Sequence, residues 1–323
     1  MRRRRFVIAA AVAPFAPFAV SAQARIPRVG VLAIPPLSET KMQLDALEAG
    51  LRELGYVPGK NIALELRSAN GRYADLKPLA EELVAANLDV IVTFGTPPTQ
   101  AAKEATTDIP IVMAGAGDPV GTGLVTSLAR PGGNLTGTSN LSPPLVVKRL
   151  ELLKESHPEL RRAALLANPA NPAQTASIRA AESASQFLRL ELRLYPVRDA
   201  EAIRKSFAAM QTDRVEALLL GNDVLLISEA ASIAEMATRQ RIRSAGNREF
   251  AQSGGLIGYG SIQDVLRHTA TYVHKVLRGA KPAELPIEQP SKYEVFLNLR
   301  TAKAADFAIP PSFRLLRVDR VIE

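Results

Sequence analysis

The sequence predicts an α/β protein of two lobes in series, each built on a parallel sheet flanked by helices. Short β-branched runs alternate with longer amphipathic stretches along most of the 323 residues, and the alternation pauses once, at the Pro- and Gly-rich residues 130–134. Strands that alternate with helices form βαβ units, in which the strands are parallel. With 47% hydrophobic and 22% charged residues, the chain is too apolar to be disordered and can bury a core in each half.

The elements of the first half follow from hydrophobic periodicity. Residues 28–34 are a continuous apolar run, which is typical of a strand buried on both faces. In residues 41–54, leucines recur on one helical stripe until Gly55, which ends the predicted helix. The same criteria predict strands at 61–67, 89–94, 109–114 and 135–139, and helices at 73–86, 97–105 and 123–129.

After the turn-rich break, the alternation resumes and continues to the end of the chain. In open parallel sheets, ligands bind beyond the carboxyl ends of the strands, so two lobes that face each other would form a cleft able to close around a small molecule. The criteria predict strands at 162–168, 190–196, 216–220, 242–245, 255–259 and 293–298, and helices at 144–155, 172–188, 200–211, 225–238, 262–277 and 301–306.

The first 24 residues have the pattern of an export signal. Arginines at 2–5 form a positive segment, residues 6–20 are apolar, and Ala-Gln-Ala at 22–24 is a cleavage site, which predicts a cut after Ala24. A membrane anchor is disfavoured because the run is too short to span a bilayer and contains two prolines. A general secretory signal and a twin-arginine signal, which would export the folded chain, both fit the arginines. We therefore expect a soluble periplasmic protein.

Charge and composition exclude several classes of function. The signal contains four arginines and no acid, so the formal net charge of +8 falls to +4 after cleavage, and no nucleic-acid partner is expected. The absence of Cys excludes disulfides, thiolate zinc sites, iron–sulfur clusters and cysteine nucleophiles. The three histidines, His157, His268 and His274, are expected on the solvated surface. We expect neither a metal site nor a cofactor.

The motifs that usually mark enzymes are missing from the chain. It has no G-x-S-x-G nucleophile turn, no H-E-x-x-H zinc motif and no G-x-x-x-x-G-K-[ST] phosphate loop. The first strand leads into Pro35-Pro36-Leu37-Ser38 without the Gly-rich turn of dinucleotide-binding proteins. We therefore predict a binding protein with no catalytic residues.

Polar and glycine residues follow the predicted strands, where a ligand would bind. Main-chain N–H groups near Thr96 can hold a carboxylate, although Thr96 capping a helix that begins at Pro97 is an equal alternative. Asp118 can pair with an ammonium group or cap the turn before Pro119. Each of these polar or glycine residues, taken singly, is explained by a role in its own turn. Their joint placement after the strands favours a role in ligand binding. The candidate ligand-binding residues are Ser38, Gly95, Thr96, Gly117, Asp118, Asn140, Asn168, Asp223 and Tyr259.

Four segments resemble one family closely. They are DPVG at 118–121, SLARPGGNLTG at 127–137, KRLELLK at 148–154 and GAKPAELPIEQP at 279–290. They resemble the ABC transporter substrate-binding proteins that include the tryptophan- and tyrosine-binding TrpX type, and the likeness extends over residues 27–323.

The resemblance implies a two-lobed periplasmic-binding-protein fold of type I-like topology, with three crossovers at the hinge. It implies a first lobe of 25–139 plus about 260–290 and a second of 140–259 plus about 291–323. It also implies a monomer that delivers a small solute, such as an aromatic or branched amino acid, to an inner-membrane permease. The family's binding turns include Thr96, Gly117, Asn140 and Asn168. Many relatives have an Asp-Pro pair where this chain has Asp223-Val224, which leaves the solute open.

Other function classes remain as alternatives. A sensor module that feeds a signalling protein would have the same fold, and no residue excludes it. An α/β enzyme such as a glycosyl transferase would need a catalytic acid or a nucleotide-phosphate site, and neither is visible. A repressor would need a DNA-binding helix pair at the N-terminus, where this chain has a signal.

Overall fold

The computed structural model describes residues 25–140, 142–261 and 265–323, which form two lobes. The predicted signal lies outside the described residues. The first lobe has a five-stranded parallel sheet in the order β2-β1-β3-β4-β5. Its elements are β1 (Arg28–Ala33), α1 (Leu37–Glu53), β2 (Ala63–Ser68), a 3-10 turn (Tyr73–Asp75), α2 (Leu76–Ala85), β3 (Val90–Phe94), α3 (Thr96–Ala105), β4 (Ile111–Gly117) and β5 (Leu135–Asn140).

The second lobe begins with α4 (Ser142–Ser156) and continues through alternating strands and helices. These are β6 (Arg162–Ala167), α5 (Ala173–Phe187), β7 (Glu191–Pro196), α6 (Ala200–Thr212), β8 (Ala217–Leu220), α7 (Val224–Ser228), α8 (Ala230–Arg239), β9 (Arg243–Gly246), α9 (Arg248–Gln252) and β10 (Ile257–Ser261).

The rest of the chain visits both lobes. Helix α10 (Val265–Leu277) packs on α1 and on strands β3–β5 of the first lobe, and a 3-10 turn (Pro282–Glu284) follows it. The chain then returns to the second sheet, whose order is β12-β11-β10-β9-β8-β6-β7 and in which only the described pair β10–β11 is antiparallel. The last elements are β11 (Tyr293–Asn298), α11 (Leu299–Ala304), α12 (Pro311–Arg317) and β12 (Arg320–Ile322).

The chain therefore passes between the sheets three times: after β5, after β10 and before β11. The third passage lies alongside β5, where the Ser139 N–H donates to the Glu288 carbonyl at 2.9 Å and the Glu288 N–H donates to the Gly137 carbonyl at 3.1 Å. These main-chain bonds hold two of the three connections side by side.

Several predicted elements differ from the structure. The helix expected at 123–129 is absent, and this stretch forms turns and bends that begin at Gly123, whose φ of +72° is left-handed backbone that an α-helix excludes. The single helix expected at 225–238 is two helices that meet at Glu229. Helices α9 and α12 and strand β12 were not predicted. No helix in the described part of the chain is both long and apolar enough to cross a membrane.

Candidate functional site

The turns that follow the strands of the first lobe touch the turns that follow the strands of the second. The Tyr73 hydroxyl donates to Asp223 Oδ2 at 2.9 Å, which joins the two lobes directly. Val224 packs against apolar side chains of the first lobe. At the end of β4, a Cβ placed on Gly117 would lie 2.7 Å from Ser142 Oγ and 3.0 Å from Ala173 Cβ. The lobes are therefore in contact across the cleft.

Asp223 is the centre of a buried polar cluster between the lobes. It follows β8, has 2% exposure, and caps α7 by accepting from the Leu225 N–H at 3.0 Å. The side-chain amides of Asn168 and Asn171, which follow β6, donate to it at 3.2 and 2.9 Å. Together with the Tyr73 hydroxyl, these groups give the carboxylate four donors, two on each oxygen.

The electrostatics of this cluster keep Tyr73 in its donor form. Burial raises the pKa of the Asp223 carboxyl above its ordinary value, and the hydrogen bonds from Asn171, Asn168 and Tyr73 oppose that rise. Burial and the adjacent Asp223 raise the pKa of the Tyr73 phenol far above its ordinary value. The phenol therefore stays protonated and donates. Because each carboxylate oxygen already accepts two bonds, a further donor has to displace one of them.

The turn between β3 and α3 corrects the expected cap and leaves few main-chain donors for a carboxylate. Gly95, with φ +86°, is the residue before the helix, so Thr96 is the first helical residue and not the cap. The buried Thr96 hydroxyl accepts from the Gly117 N–H at 2.9 Å and joins α3 to β4. Pro97 and Pro98 have no N–H, and the Thr99 N–H bonds to the Gly95 carbonyl. Among the described groups here, only the Thr96 N–H remains as an unpaired main-chain donor.

Asp118 has the local role that was weighed as the alternative to binding. Its backbone is left-handed at φ +42°, and Oδ1 accepts from the Gly121 N–H at 3.0 Å. Asn140 is also engaged locally, because its side-chain amide donates to the Gly115 carbonyl at 3.0 Å. Both residues nevertheless line a cavity of about 250 Å³ beside the crossovers, together with Pro119, Val120, Leu128, Pro143, Pro144 and Gln289.

The remaining candidates lie apart from the Asp223 cluster. Ser38 is exposed in the first turn of α1. Tyr259 is half-buried on β10, with its ring 5.8 Å from that of Tyr293, and its carbonyl accepts two hydrogen bonds from Arg149, at 3.1 and 3.0 Å. Arg149 is almost fully buried, and burial lowers its pKa to about 10. It fixes the strand that leads to the second crossover.

Sequence reasoning missed three contributors to the cluster and its surroundings: Tyr73, Asn171 and Gln174. Asn171 follows Asn168 at a spacing of three, a turn signal that was present. Gln174 donates to the Asn222 carbonyl at 2.7 Å and has a buried Oε1 without a described partner. Tyr73 gives no local signal, because its partner is 150 residues away.

Two of the histidines have polar side-chain partners. His268 Nε2 lies 2.6 Å from Glu288 Oε2, and His274 Nδ1 lies 3.1 Å from the Tyr56 hydroxyl, so both side chains have partners. His268 is exposed, as expected of a solvated surface histidine, whereas His274 is half-buried against the Tyr56 ring. No group of three His, Cys, Asp or Glu placed to hold a metal occurs in the described ranges.

Comparison with known proteins places this geometry in a family. The model of the family described as ABC transporter substrate binding protein matches residues 29–316. A tyrosine-binding protein of Clostridioides difficile strain R20291 is 26% identical over 258 residues, which cover 79% of this chain and 74% of that protein.

Solved structures share the fold over nearly the whole chain. A conserved domain protein from Vibrio cholerae has a TM-score of 0.84 at 25% identity, covering 92% of this chain and 100% of that one. An ABC domain from Streptococcus pneumonia in complex with L-Trp has a TM-score of 0.83 at 24% identity, covering 92% and 99%. The two-lobed binding-protein fold and the family resemblance predicted from the sequence are confirmed: the chain belongs to the ABC transporter substrate-binding protein family.

Proposed function

We propose that this protein binds an amino acid, with aromatic side chains preferred, between its lobes and presents it to an importer's permease. The observation that carries the proposal is the buried Asp223 carboxylate, which sits where the lobes meet and has no described cation within salt-bridge distance. A ligand ammonium is the charge that such a site lacks. The tyrosine-binding relative and the L-Trp complex of the structural neighbour support this class of solute.

We assign the ligand's groups to specific partners. Asp223 receives the ammonium in preference to Asp118, because Asp118 is bonded to its own turn and Asp223 faces the opposite lobe. The ammonium takes the acceptor position now used by the Tyr73 hydroxyl, since a charged donor bonds a carboxylate more strongly than a phenol does. The Thr96 N–H and the Asn140 amide are the donors for the ligand carboxylate.

Calorimetric titration with a matched panel tests this proposal. L-Trp, L-Tyr and L-Phe are compared with indole-3-propionate and phenylpropionate, which lack the amine, and with sugars and purines. A ligand present at a concentration of 100 times its Kd adds about 2.7 kcal/mol to the free energy of unfolding. A rise in the unfolding temperature therefore provides a second measure of binding. Binding of the amino acids but not of their deaminated analogues supports the assignment. Equal binding of both sets would remove Asp223 from ammonium recognition.

Lobe closure depends on the small size of Gly117. We expect Gly117→Val to weaken amino-acid binding by at least about tenfold, because the branched side chain would overlap Ser142 and Ala173 of the second lobe and hold the cleft open. Titration measures the affinity, and the unfolding temperature without solute is the control, which should stay close to that of the wild type. Unchanged affinity would show that the solute binds without this contact.

The Tyr73 hydroxyl stabilises the contact between the lobes through its bond to Asp223. Tyr73→Phe keeps the ring and removes the bond to Asp223, so the solute-free protein should open and its radius of gyration in X-ray scattering should increase. Because the ligand no longer competes with the phenol, we expect affinity to rise by up to about fivefold, the equivalent of one net hydrogen bond. A weaker affinity would mean that the phenol keeps its bond in the bound state.

We also propose that the chain is exported to the periplasm and acts there as a monomer. The N-terminal pattern supports a cut after Ala24, so the mature protein should begin at Arg25. Intact-mass measurement of protein recovered from the periplasmic fraction checks this, and a retained Met1 would contradict it. Light scattering of the same sample measures the oligomeric state.

A further inference from the structure

A second concave site lies at the end of the second lobe that faces away from the cleft. This basal pocket has a volume of about 620 Å³ and is lined by Lys154, Pro158, Glu159, Leu160, Arg161, Arg162, Arg189 and Glu191. It lies at the beginning of β6 and β7, whereas Asn168 and Asp223 follow the ends of β6 and β8. One six-residue strand, roughly 20 Å, therefore separates it from the interlobe cluster.

Arginines run along this edge of the sheet. Strands β7, β6, β8 and β9 are consecutive neighbours, and each is preceded within three residues by an exposed arginine. This basal arginine row consists of Arg189, Arg161, Arg214 and Arg241. Adjacent strands lie about 4.8 Å apart, so the four side chains leave the edge at neighbouring positions.

The guanidinium groups of the row are not used by the protein itself. None of the four has an ion pair with a described carboxylate. Three of them follow helices α5, α6 and α8, where positive charge interacts favourably with the helix end, but that interaction uses none of the side-chain N–H groups. Arg162, inside the pocket, has a buried Nε without a described partner.

Among the acidic side chains nearby, Glu216 pairs with Arg162, and no described carboxylate pairs with Arg161 or Arg189. Glu216 accepts from the Arg161 and Arg162 main-chain N–H groups at 2.8 and 3.1 Å and from the Arg162 guanidinium at 3.3 Å, and these bonds hold its pKa below the ordinary value. Glu159 and Glu191 are exposed at the rim. The pocket is thus lined by two guanidinium groups without an ion pair, Arg161 of the α4–β6 loop and Arg189 of the α5–β7 turn, and by Arg162 of β6, which is shared with Glu216.

We propose that the basal pocket binds a phosphate-type oxyanion, held by Arg161, Arg162 and Arg189. A phosphate has more acceptor oxygens and more negative charge than a single carboxylate, so it is the better match for guanidinium groups that come from three sides. The phosphate can belong to a soluble compound or to a phospholipid headgroup. The proposed role of the basal pocket does not depend on the amino-acid site between the lobes.

Titration of the purified protein with pyrophosphate at constant ionic strength tests the site. We expect saturable binding that the double variant Arg161→Gln/Arg189→Gln weakens at least about tenfold, because it removes two charged donors. The matched control, Arg130→Gln/Arg278→Gln, removes the same charge from exposed first-lobe positions and should bind as the wild type does. Glu191→Gln, which removes rim repulsion, should bind at least as tightly as the wild type.

Vesicle sedimentation separates the two sources of phosphate. Binding to phosphatidylglycerol but not to phosphatidylcholine vesicles, lost in the Arg161→Gln/Arg189→Gln protein, would assign the pocket to headgroups, and pyrophosphate binding without vesicle binding would assign it to soluble phosphates. Absence of saturable pyrophosphate binding, or an equal loss in the first-lobe control, would overturn the proposal. Both arginines are exposed, so an unchanged unfolding temperature should accompany the loss.

Discussion

Replacement of Arg149 by alanine is expected to lower the free energy of unfolding by about 3 kcal/mol. The side chain is 1% exposed, so its removal leaves a cavity in α4 packing, and the Tyr259 carbonyl loses both of its described side-chain donors. Urea denaturation followed by circular dichroism measures the change. A loss below about 1 kcal/mol would show that the site relaxes to fill the cavity.

Two further variants separate the causes of this loss. Arg149→Met fills most of the volume and removes the buried charge, so it should cost about half as much as alanine, since an apolar replacement of a buried ion can be tolerated. Arg149→Lys keeps the positive charge but replaces the two guanidinium nitrogens that donate to the Tyr259 carbonyl by a single ammonium nitrogen. If methionine were as destabilising as alanine, the two bonds to the Tyr259 carbonyl would outweigh the packing contribution.

The second large effect is expected at Asp223. Asp223→Ala should weaken amino-acid binding by about a hundredfold, the equivalent of one charge-assisted bond. It should also lower the free energy of unfolding by about 2 kcal/mol, because α7 loses its cap and the Asn168, Asn171 and Tyr73 donors lose their acceptor. Titration and urea denaturation measure the two effects separately.

Asp223→Asn serves as the control for charge and adds a pH test. Burial raises the pKa of Asp223 from its ordinary 3.8, so the folded protein keeps this proton to higher pH than the unfolded chain does. Stability from this group is therefore fully present below pH 3.8 and is lost as pH rises through the folded pKa. Relative to the wild type, the Asn variant should gain stability over that range. A difference that does not vary with pH would contradict a titrating buried carboxyl.

Elements whose cause is local could be predicted from the sequence. The run at Arg28–Ala33 becomes the interior strand β1 because a strand buried on both faces requires continuous apolar residues. The turns at 119–134 could not be distinguished from a short helix, since their glycines and prolines act through backbone angles that hydrophobic periodicity does not report. The break at Glu229 between α7 and α8 could not be predicted for a different reason: no glycine or proline lies near it to signal the end of a helix.

Some residues of the candidate site could be predicted from local sequence signals, and others could not. Asn168 and Asp223 were found because strand ends are recognisable, and the structure brings them together at 3.2 Å. Asp118 has the same local signature, yet its carboxylate bonds to its own turn. Tyr73 completes the cluster from the other lobe, and only the docking of two sheets brings it there. Which strand-end residues share a site is decided by tertiary contacts, which no short motif encodes.

The discontinuity of both lobes has a consequence for how the chain matures. The first core includes Ala270, Tyr272 and Val273 of α10, which are synthesised after strands β6–β10 of the second lobe. The second sheet ends with β12, whose register places Val321 against Leu297. Neither lobe can complete its contacts until the last fifth of the chain has left the ribosome, and such long-range pairing is slow. Both lobes are therefore expected to reach their native contacts together, at the end of synthesis, and not one after the other.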